Sequence, residues 1–438
     1  MDQTEALIIE TIDRHREEIL EFARDIYSHA ELGYKEFQTS GKFVKKMEQL
    51  GLRTEKGFAI TGVKAYLNED KKENASLALL GELDALRIPE HAFANPETNA
   101  AHCCGHHAQM AGVFGAALAL TVPEIAEKLD GQVVFFATPA EEYGEIEFKN
   151  RLREQGKIRY GGGKCELLRI GAFDDIDLCL THHIRPGNEI LVGSGTGNGF
   201  VSKVIRVLGK ASHAAGAPEK GVNTLSAASL GLQALGLNRE TFRDEDCVRV
   251  HPIITKGGNL VNVIPDEVVV ETLVRGKTIE AFTDAAKKTD RSFKAGAIAM
   301  GAKVEISTLP GYLPTLAEEA LPELKHAAEI SASGIPVIEA SGHAGGSTDV
   351  GDVQHLMPVY TFNTGGVKGG LHQIDFEVTD EEEAYIVTAK MFALAAYGLL
   401  KEKAQRSREL VDQYEPVFKN SAEYVEFMEQ FDSKEIFE

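Results

Sequence analysis

Two spacings of apolar residues alternate along this chain, one typical of helices and the other typical of strands. Apolar positions three or four residues apart predict helices over residues 4–30 and 36–51. Strand-like runs follow at residues 62–67, 76–83 and 132–138, and the last two are almost continuously apolar. Helices that alternate with buried strands indicate an α/β fold, in which helices flank a mixed, mostly parallel sheet.

One stretch of the chain has a different order of elements. Between residues 197 and 309 the pattern predicts a strand at 200–208, a helix at 221–237, strands at 248–255 and 266–274, a helix at 279–300 and a strand at 302–309. This β-α-β-β-α-β order is typical of a small ferredoxin-like domain. We therefore predict a larger domain in two parts, 1–196 and 310–438, around this insertion. The tail from residue 405 is predicted to be helical.

Composition and charge narrow the class of protein. The 438 residues include 46 basic and 67 acidic side chains, a net charge of −21. This balance argues against nucleic acid and anionic membranes as partners. Five scattered cysteines are typical of reduced thiols, and we find neither a signal peptide nor an apolar run close to the roughly 20 residues of a membrane span. We expect a soluble, acidic, cytoplasmic protein.

Side chains that can bind a metal are concentrated in residues 101–112, just before an apolar helical run. Cys104 and His106 are separated by a single glycine, which lets the backbone turn tightly. The N-terminus of the following helix would favour the thiolate form of Cys104. The alternative for this segment is a helix cap that bears surface histidines.

Three predicted strands end in side chains that can bind a metal or transfer a proton. Because the carboxyl ends of parallel strands meet at one edge of a sheet, we expect these side chains to lie together. Of two adjacent glutamates, one can bind a metal while the other faces the attacking water; a solvated acidic turn is the alternative. The side chains are Glu82 and Asp84 at the end of strand 76–83, Glu141 and Glu142 after strand 132–138, and His182 and His183 after a strand at 176–180.

A hydrolytic site with more than one metal ion needs several ligands and one general base. Glu141 is the candidate general base, and Asp84 could orient a ligating imidazole. A thiolate ligand favours zinc, although manganese stays possible. The candidate ligands are Cys104, His106, Glu142, His183 and, from the returning segment, His372.

Several neighbours of these residues are expected to be structural. His182 should point away from His183, because consecutive residues on a strand diverge. Cys103 is expected to be a bystander beside Cys104. The roles of His102 and Glu82 stay open.

The chain resembles a known family through motifs that recur in the family's order. It resembles the zinc aminoacylase/carboxypeptidase family of metallopeptidases, and within it the amidohydrolase branch that includes hippurate hydrolase, auxin-conjugate hydrolases and p-aminobenzoyl-glutamate hydrolase. The resemblance covers roughly residues 5–400. Its motifs are Asp84-Ala85-Leu86, His102-Cys103-Cys104-Gly105-His106, Pro139-Ala140-Glu141-Glu142, His183-Ile184-Arg185-Pro186 and Gly370-Leu371-His372, with Ala211-Ser212-His213-Ala214 and Asn262-Val263-Ile264-Pro265 in the inserted domain.

The resemblance implies a metallopeptidase-like amidohydrolase. It would cleave the amide bond of an N-acyl or N-aroyl amino acid, or of a dipeptide, by attack of metal-bound water. The implied cofactors are two divalent ions, zinc or manganese, with Cys104 in the bridging position. The family's pattern assigns Glu141 as the general base and completes the metal site with His106, Glu142, His183 and His372.

The resemblance also assigns a role to the inserted domain, which in relatives is a lid that mediates homodimer formation. His213 matches the histidine that steadies the oxyanion, often across the dimer. Asn262 and Arg275 match positions that hold the carboxylate of the substrate, a task that suits the bidentate guanidinium. The implied partners are a small-molecule amide substrate and a second copy of the chain.

The sequence departs from the family pattern at a few positions. His107 stands where relatives usually have aspartate, and Arg87 replaces the usual proline. Residues 146–160 form an insertion beside the expected cleft. These departures motivate an alternative hypothesis, a binding or regulatory protein of the same fold with weakened catalysis. A structural zinc site fits less well, because such sites are closed tetrahedra of four ligands.

Overall fold

The computed structural model describes all 438 residues and confirms the predicted α/β fold class. The helices are α1 (Gln3–Arg14), α2 (Arg16–Ser28), α3 (Phe37–Gln49), α4 (His106–Leu120), α5 (Pro123–Ala126), α6 (Ile146–Glu154), α7 (Gly163–Arg169), α8 (Thr224–Asn238), α9 (Ile279–Met300), α10 (Pro322–Ser331), α11 (Val350–Gln354), α12 (Thr388–Gln413) and α13 (Ser421–Glu429). The helix predicted over residues 4–30 is therefore two helices, separated at His15.

The strands of three or more residues are β1 (Arg53–Phe58), β2 (Gly62–Leu67), β3 (Ser76–Glu82), β4 (Gln132–Thr138), β5 (Leu178–Ile184), β6 (Ile190–Val192), β7 (Gly199–Leu208), β8 (Arg249–Lys256), β9 (Glu267–Gly276), β10 (Lys303–Pro310), β11 (Val337–Glu339), β12 (Val359–Thr364) and β13 (Ser433–Phe437). Two-residue strands supplement them in the loops. The chain divides into a larger unit, Met1–Gly195, Leu316–Gly342 and Asp352–Ser421, and a smaller unit, Thr196–Thr315, His343–Gly351 and Ala422–Glu438.

The larger unit is built on a mixed sheet with the strand order β1-β2-β4-β3-β5-β12-β6-β11. Its centre is parallel, since β3 pairs in parallel with both β4 and β5, and β5 pairs in parallel with β12. Strands β3 and β4 are buried along their whole length, as their apolar runs predicted. The parallel centre brings the carboxyl ends of β3, β4 and β5 to one edge of the sheet.

Two apolar helices form the centre of the larger unit's core. Every residue of α4 is buried, and α4 packs against α12. The stretch Glu382–Gln413 is long and apolar enough to cross a bilayer, but 89% of its apolar window is buried inside the protein. It begins as a π-helix at Glu382–Val387, and its backbone leaves the helical conformation at residues 401–404. This stretch is a core helix of the larger unit.

The smaller unit contains the predicted β-α-β-β-α-β order, and its five-stranded antiparallel sheet has the order β8-β9-β7-β10-β13. Helices α8 and α9 pack against each other and against this sheet. Strand β9 alternates half-buried and buried residues along its whole length. One face of the sheet therefore supplies the core of this unit.

The C-terminal tail differs from the expectation. Residues 422–438, predicted to be helical and assigned to the larger domain, belong to the smaller unit and end in β13. Strand β13 pairs with β10, with Ser433 opposite Thr308 and Phe437 opposite Val304. The apolar pattern missed this strand because most of its side chains are exposed, so that backbone hydrogen bonds hold it in place. Residues 343–351 likewise belong to the smaller unit.

Candidate metal centre and active site

The five candidate ligands of the larger unit lie together in two groups that share Cys104. The first group is Cys104, His106 and His183, and the second is Cys104, Glu142 and His372; within each group the ligand atoms lie within 4.8 Å of one another. Cys104 Sγ is 3.3 Å from His183 Nε2 and 3.2 Å from His372 Nε2. His372 Nε2 is 3.0 Å from Glu142 Oε1. The arrangement has the form of two adjacent sites with a common cysteine sulfur.

A tight turn before α4 places Cys104 and His106 in this cluster. Gly105 has a φ of +84°, a conformation that residues with a Cβ rarely adopt. A Cβ at this position would also lie 2.0 Å from Cγ2 of Ile184 at the end of β5. Only glycine therefore allows α4 to begin this close to the strand that bears His183.

Backbone hydrogen bonds fix the tautomers of two candidate imidazole ligands. His106 Nδ1 is 2.8 Å from the carbonyl oxygen of Asp84, and His183 Nδ1 is 2.8 Å from the carbonyl oxygen of Ile184. A carbonyl oxygen can only accept, so Nδ1 bears the proton in both rings. Nε2 of each neutral ring is then the atom with a lone pair for a metal.

Asp84 connects the carboxyl ends of β3 and β4. Its Oδ1 accepts a hydrogen bond from the backbone N–H of Glu141 at 3.2 Å, and its Oδ2 accepts one from the backbone N–H of Glu142 at 2.9 Å. Oδ1 also lies 3.2 Å from His106 Nδ1. Asp84 therefore contacts the His106 imidazole, as expected from the sequence. It also orients the segment that bears both glutamates, which the sequence did not indicate.

Glu82, whose role the sequence left open, lies beside the cluster. Its Oε2 is 3.1 Å from His106 Nε2 and accepts a hydrogen bond from Gln109 Nε2 at 2.8 Å. Its Oε1 is paired with the buried ammonium of Lys164. The sequence signal was its position, since Glu82 is the last residue of the apolar strand that leads to Asp84.

Glu141, the candidate general base, is buried at the edge of the cluster. Its Oε2 is 3.9 Å from His106 Nε2, and its ligand atoms group with those of Glu82 and His106. Its side chain is thus separate from that of Glu142, which lies beside His372. The two adjacent glutamates face different neighbours, the arrangement that the predicted division of roles requires.

The charges of the cluster favour a bound cation. Burial, reinforced by the Glu142 carboxylate, raises the pKa of the Cys104 thiol well above its usual value. Burial acts to lower the pKa of His106, but the Glu82 carboxylate, Cys104 and Asp84 together outweigh burial and hold that pKa well above its usual value. Burial also acts to raise the pKa of Glu142, but His372, His106 and Cys104 together outweigh burial, and the pKa is lowered. A divalent ion would supply the positive charge that turns the thiol into a thiolate, so these residues fit a metal site.

The loop that bears His372 is held at several points. Its two ends pair as short antiparallel strands, Val367–Lys368 with Glu377–Val378. The backbone N–H of His372 donates to the carbonyl oxygen of Cys103 at 2.9 Å. His91 Nε2 lies 2.8 Å from the carbonyl oxygen of Phe376. His91 lies in the loop 87–101, and its contact with Phe376 holds the end of the loop that bears His372. The sequence had not indicated this role of His91.

Four neighbours of the candidate ligands lie outside both ligand groups: His102, Cys103, His107 and His182. His182 Nε2 is 2.8 Å from Thr364 Oγ1 in the core, on the opposite side of β5 from the cluster. His107 is fully buried, its Nε2 is 3.1 Å from Tyr385 Oη, and its ring lies 5.3 Å from that of His102. Burial and the neighbouring His106 lower the pKa of His107 to about 3. His107 is therefore a neutral packing residue that faces away from the candidate ligands.

The smaller unit contains His213, Asn262 and Arg275. His213 lies on an exposed two-residue strand that pairs with Val263–Ile264, and the backbone N–H of Ala214 donates to the Asn262 carbonyl oxygen at 3.0 Å. His213 Nδ1 accepts from the N–H groups of residues 215 and 216 at 3.2 and 3.0 Å. The proton of the neutral ring is therefore on Nε2, which is available as a donor.

Arg275 occupies a different place on the smaller unit. Its Nη1 donates to Ser347 Oγ at 3.0 Å, and its guanidinium group lies 5.5 Å from the centre of the Phe200 ring. The structure thus brings His213 and Asn262 together and places Arg275 on β9, beside the loop 343–351.

The fold and the side chains of the site together indicate the class of protein to which this chain belongs. An α/β sheet that gathers a thiol, three imidazoles and several carboxylates at the carboxyl ends of its parallel strands is typical of hydrolases that act through divalent ions.

Comparison with known proteins identifies the family. The profile of peptidase family M20/M25/M40 matches residues 78–397. Xaa-Arg dipeptidase of Mus musculus is 27% identical over 408 residues, which cover 90% of this chain and 85% of that protein. One subunit of the p-aminobenzoyl-glutamate hydrolase of Escherichia coli (strain K12) is 26% identical over 315 residues, 70% of this chain and 60% of that protein. The chain belongs to peptidase family M20/M25/M40.

The fold agrees with this assignment. A crystal structure of a dinuclear metal-binding peptidase of the M20 family from Bacillus subtilis superposes with a TM-score of 0.61 at 24% identity, over 89% of this chain and 99% of that chain. The chain is a hydrolase of amide or peptide bonds, as the sequence predicted. The resemblance stated from its motifs is confirmed.

Proposed function

We propose that this chain is a metal-dependent amidohydrolase that cleaves the amide bond between an acyl or aroyl group and an amino acid, or the bond of a dipeptide. The observation that supports this most strongly is the position of Cys104, whose sulfur belongs to both groups of candidate ligands. One relative is named as an Xaa-Arg dipeptidase and another as a p-aminobenzoyl-glutamate hydrolase, names that contain a dipeptide and an aroyl amino acid.

Two divalent ions would share the Cys104 thiolate. His106 and His183 would complete one site, and Glu142 and His372 the other. When bound, such ions polarise the carbonyl group of the substrate and make water more acidic. The thiolate favours zinc, and manganese fits the imidazole and carboxylate ligands.

Glu141 would move the proton in this reaction. Its carboxylate takes a proton from the attacking water and passes it to the nitrogen of the leaving amine. Asp84 supports this role by accepting the backbone N–H groups of Glu141 and Glu142, which limits the positions that both side chains can take. The same glutamate thus acts first as base and then as acid.

The smaller unit would supply groups that bind the substrate. His213 Nε2, with its proton directed away from the backbone, suits a donor to the oxyanion of the tetrahedral intermediate. Arg275 would hold the carboxylate of the amino-acid part of the substrate by two parallel hydrogen bonds. Asn262 lies near the opposite end of β9 from Arg275 in the same chain, so it would contact that carboxylate from a second copy of the chain.

We also propose a homodimer formed through the smaller unit. Strand β8 is an edge strand, paired only with β9, and it exposes Ile253 and Ile254. Leu237 on α8 and Leu260 and Val261 in the loop beside Asn262 are also exposed. An open strand edge with exposed apolar side chains is a surface that a second copy can cover.

A charge on β8 should separate the two copies. We expect the wild-type protein to be a dimer in size-exclusion chromatography with light scattering, and Ile253→Lys to be a monomer, because a lysine would have to be desolvated at the interface. Ile338→Lys is the matched control: Ile338 is 48% exposed against 52% for Ile253, but lies on β11 of the larger unit. A monomeric wild type, or equal behaviour of both variants, would contradict the proposal.

The alternative of a binding protein with weakened catalysis was based on the extra imidazole at position 107 and on the insertions. The ring of His107 faces Tyr385 rather than the candidate ligands, which removes the first of these two reasons. The cytoplasmic location stays a prediction, which cell fractionation would test; all five cysteines are free, as in a reducing compartment.

The direct test of the proposed function is release of free amine from N-acyl amino acids, N-aroyl-glutamates and dipeptides. We expect hydrolysis with added Zn²⁺ or Mn²⁺, near-complete loss after a chelator removes the metal, and recovery when the metal is returned. Chelator treatment should also lower the melting temperature, because ions that bind only the folded state stabilise it. Hydrolysis that persists at full rate in metal-free protein would refute the proposal.

A further inference from the structure

The turn that precedes the two glutamates holds an alanine in the left-handed conformation. Ala140 has a φ of +49°, which is unfavourable for a residue with a Cβ and persists only where its surroundings impose it. Glu141 and Glu142 follow directly. A change in the backbone angles of Ala140 would therefore re-aim both carboxylates.

The surroundings of Ala140 hold its peptide groups on both sides. Its N–H donates to Glu36 Oε1 at 2.8 Å, and its carbonyl oxygen accepts from the N–H of Gly163 at 3.0 Å. A Cβ at Gly163 would lie 1.6 Å from the carbonyl oxygen of Pro139, and one at Gly33 would lie 3.1 Å from Ala140 Cα. Gly33 and Gly163 approach this turn closely and have no side chains. Glu36 is the residue whose side chain hydrogen-bonds Ala140.

Glu36 is a fully buried carboxyl group without a place in the proposed mechanism. It is 0% exposed and belongs to neither group of candidate ligands. Its Oε2 accepts a hydrogen bond from Thr61 Oγ1 at 2.7 Å, so both of its oxygens are used. Burial and the nearby Asp84 carboxylate raise the pKa of Glu36 to about 7. A buried carboxyl group is costly, and the hydrogen bond that joins this one to the segment bearing Glu141 and Glu142 is the bond from the Ala140 N–H.

We propose that Glu36 is a positioning residue that holds Ala140 in the left-handed conformation and thereby aims Glu141 and Glu142. This inference rests on the proposed function, in which Glu141 moves the proton and Glu142 binds metal. Glu36 acts as a hydrogen-bond acceptor, and its charge is not required. Glutamine keeps an acceptor oxygen for Ala140 and can donate its amide to Thr61, whereas leucine fills the space and does neither.

Steady-state kinetics of substitutions at Glu36 test this role. We expect Glu36→Gln to keep kcat within about 3-fold of wild type, and Glu36→Leu to lower kcat by about 10–100-fold at an unchanged KM, because misplaced catalytic groups cost rates of this order. Adding Ala140→Gly to Glu36→Leu should recover part of kcat, since glycine adopts a positive φ without strain. Wild-type kcat in Glu36→Leu, or an equal loss in Glu36→Gln, would overturn the proposal.

Glu31 provides the matched control. It is a second buried carboxylate on the same loop. Its side chain accepts hydrogen bonds from the N–H and Oγ1 of Thr39 at 2.8 and 2.9 Å and makes none to Ala140. Glu31→Leu should lower the melting temperature without lowering kcat. An equal loss of kcat in Glu31→Leu and Glu36→Leu would assign the effect to general destabilisation and overturn the proposal. If Glu36→Leu is insoluble, Thr61→Val replaces it: a smaller loss of kcat supports the role, and wild-type kcat overturns it.

Metal affinity separates failure of this inference from failure of the proposed function. If the wild type hydrolyses no amide, the proposed function fails, and Zn²⁺ affinity measured against a chromophoric chelator then decides the role of Glu36. Because Glu142 lies on the same turn, we expect affinity to fall by about 10-fold in Glu36→Leu and to be unchanged in Glu36→Gln. Equal affinities in both variants and the wild type would overturn the proposal.

Discussion

Replacing Glu141 with glutamine should lower kcat by about 10²–10⁴-fold, the usual contribution of a general acid–base residue. Glutamine has the same shape but cannot accept the proton of water at neutral pH. The backbone contact between residue 141 and Asp84 Oδ1 would remain, so the turn should keep its position. The measurement is kcat on a cleaved substrate, together with the metal content determined by mass spectrometry.

Metal content distinguishes loss of the base from loss of the site. Glu141→Gln should retain the wild-type content, because the five candidate ligands are untouched. Glu147→Gln is the matched control, since the Glu147 side chain is 84% exposed on the neighbouring helix α6 and pairs only with Arg151. Turnover in Glu141→Gln equal to that of this control would remove Glu141 from the reaction.

Replacing Cys104 with alanine should abolish both metal sites together. Changes in groups that only support a ligand typically weaken binding by 10–100-fold, so loss of a ligand common to both sites should weaken it by more than about 100-fold. We expect less than one ion per chain after dialysis and activity near the detection limit. The measurements are metal stoichiometry and amine release on the same sample.

The adjacent cysteine provides the control for this substitution. Cys103 is fully buried, and its side chain belongs to neither ligand group. Cys103→Ala removes the same atoms one residue away and should retain both ions. Full metal content in Cys104→Ala would contradict a shared thiolate, and selective loss of one ion would show that Cys104 serves a single site.

Much of the fold could be predicted from apolar spacing, because the strongest patterns belong to elements whose burial decides their conformation. Strands β3 and β4 are apolar throughout and fully buried, and β9 alternates as a strand with one buried face does. Strand β13 lacks either signal. It is held by pairing with β10, a contact distant in sequence that no local pattern reports.

The candidate ligands were predictable for a different reason. Thiols, imidazoles and carboxylates at the ends of apolar strands are visible in the sequence, and the topology of a parallel sheet brings such ends together. The direction in which each side chain points was harder to predict. The sequence offered His107 as an extra imidazole near the metals, yet the first turn of α4 directs it toward Tyr385.

The supporting contacts could not be read from the sequence because they join segments far apart in the chain. Glu36 reaches Ala140 and His91 reaches Phe376, and neither residue stands in a pattern that marks it. Asp84 was recognised through its place at the end of β3. Its hydrogen bonds to two backbone N–H groups depend on the left-handed conformation of Ala140. The sequence does not indicate this conformation, because it is usual for glycine and rare for alanine.

The most direct test of the central claim is a crystal structure of the metal-loaded protein with anomalous data collected on both sides of the zinc and manganese absorption edges. The proposed function predicts two peaks about 3.5–4 Å apart, one beside His106 and His183 and the other beside Glu142 and His372, with Cys104 Sγ between them. A single peak, or two peaks that do not share Cys104, would contradict the two-metal site proposed for this chain.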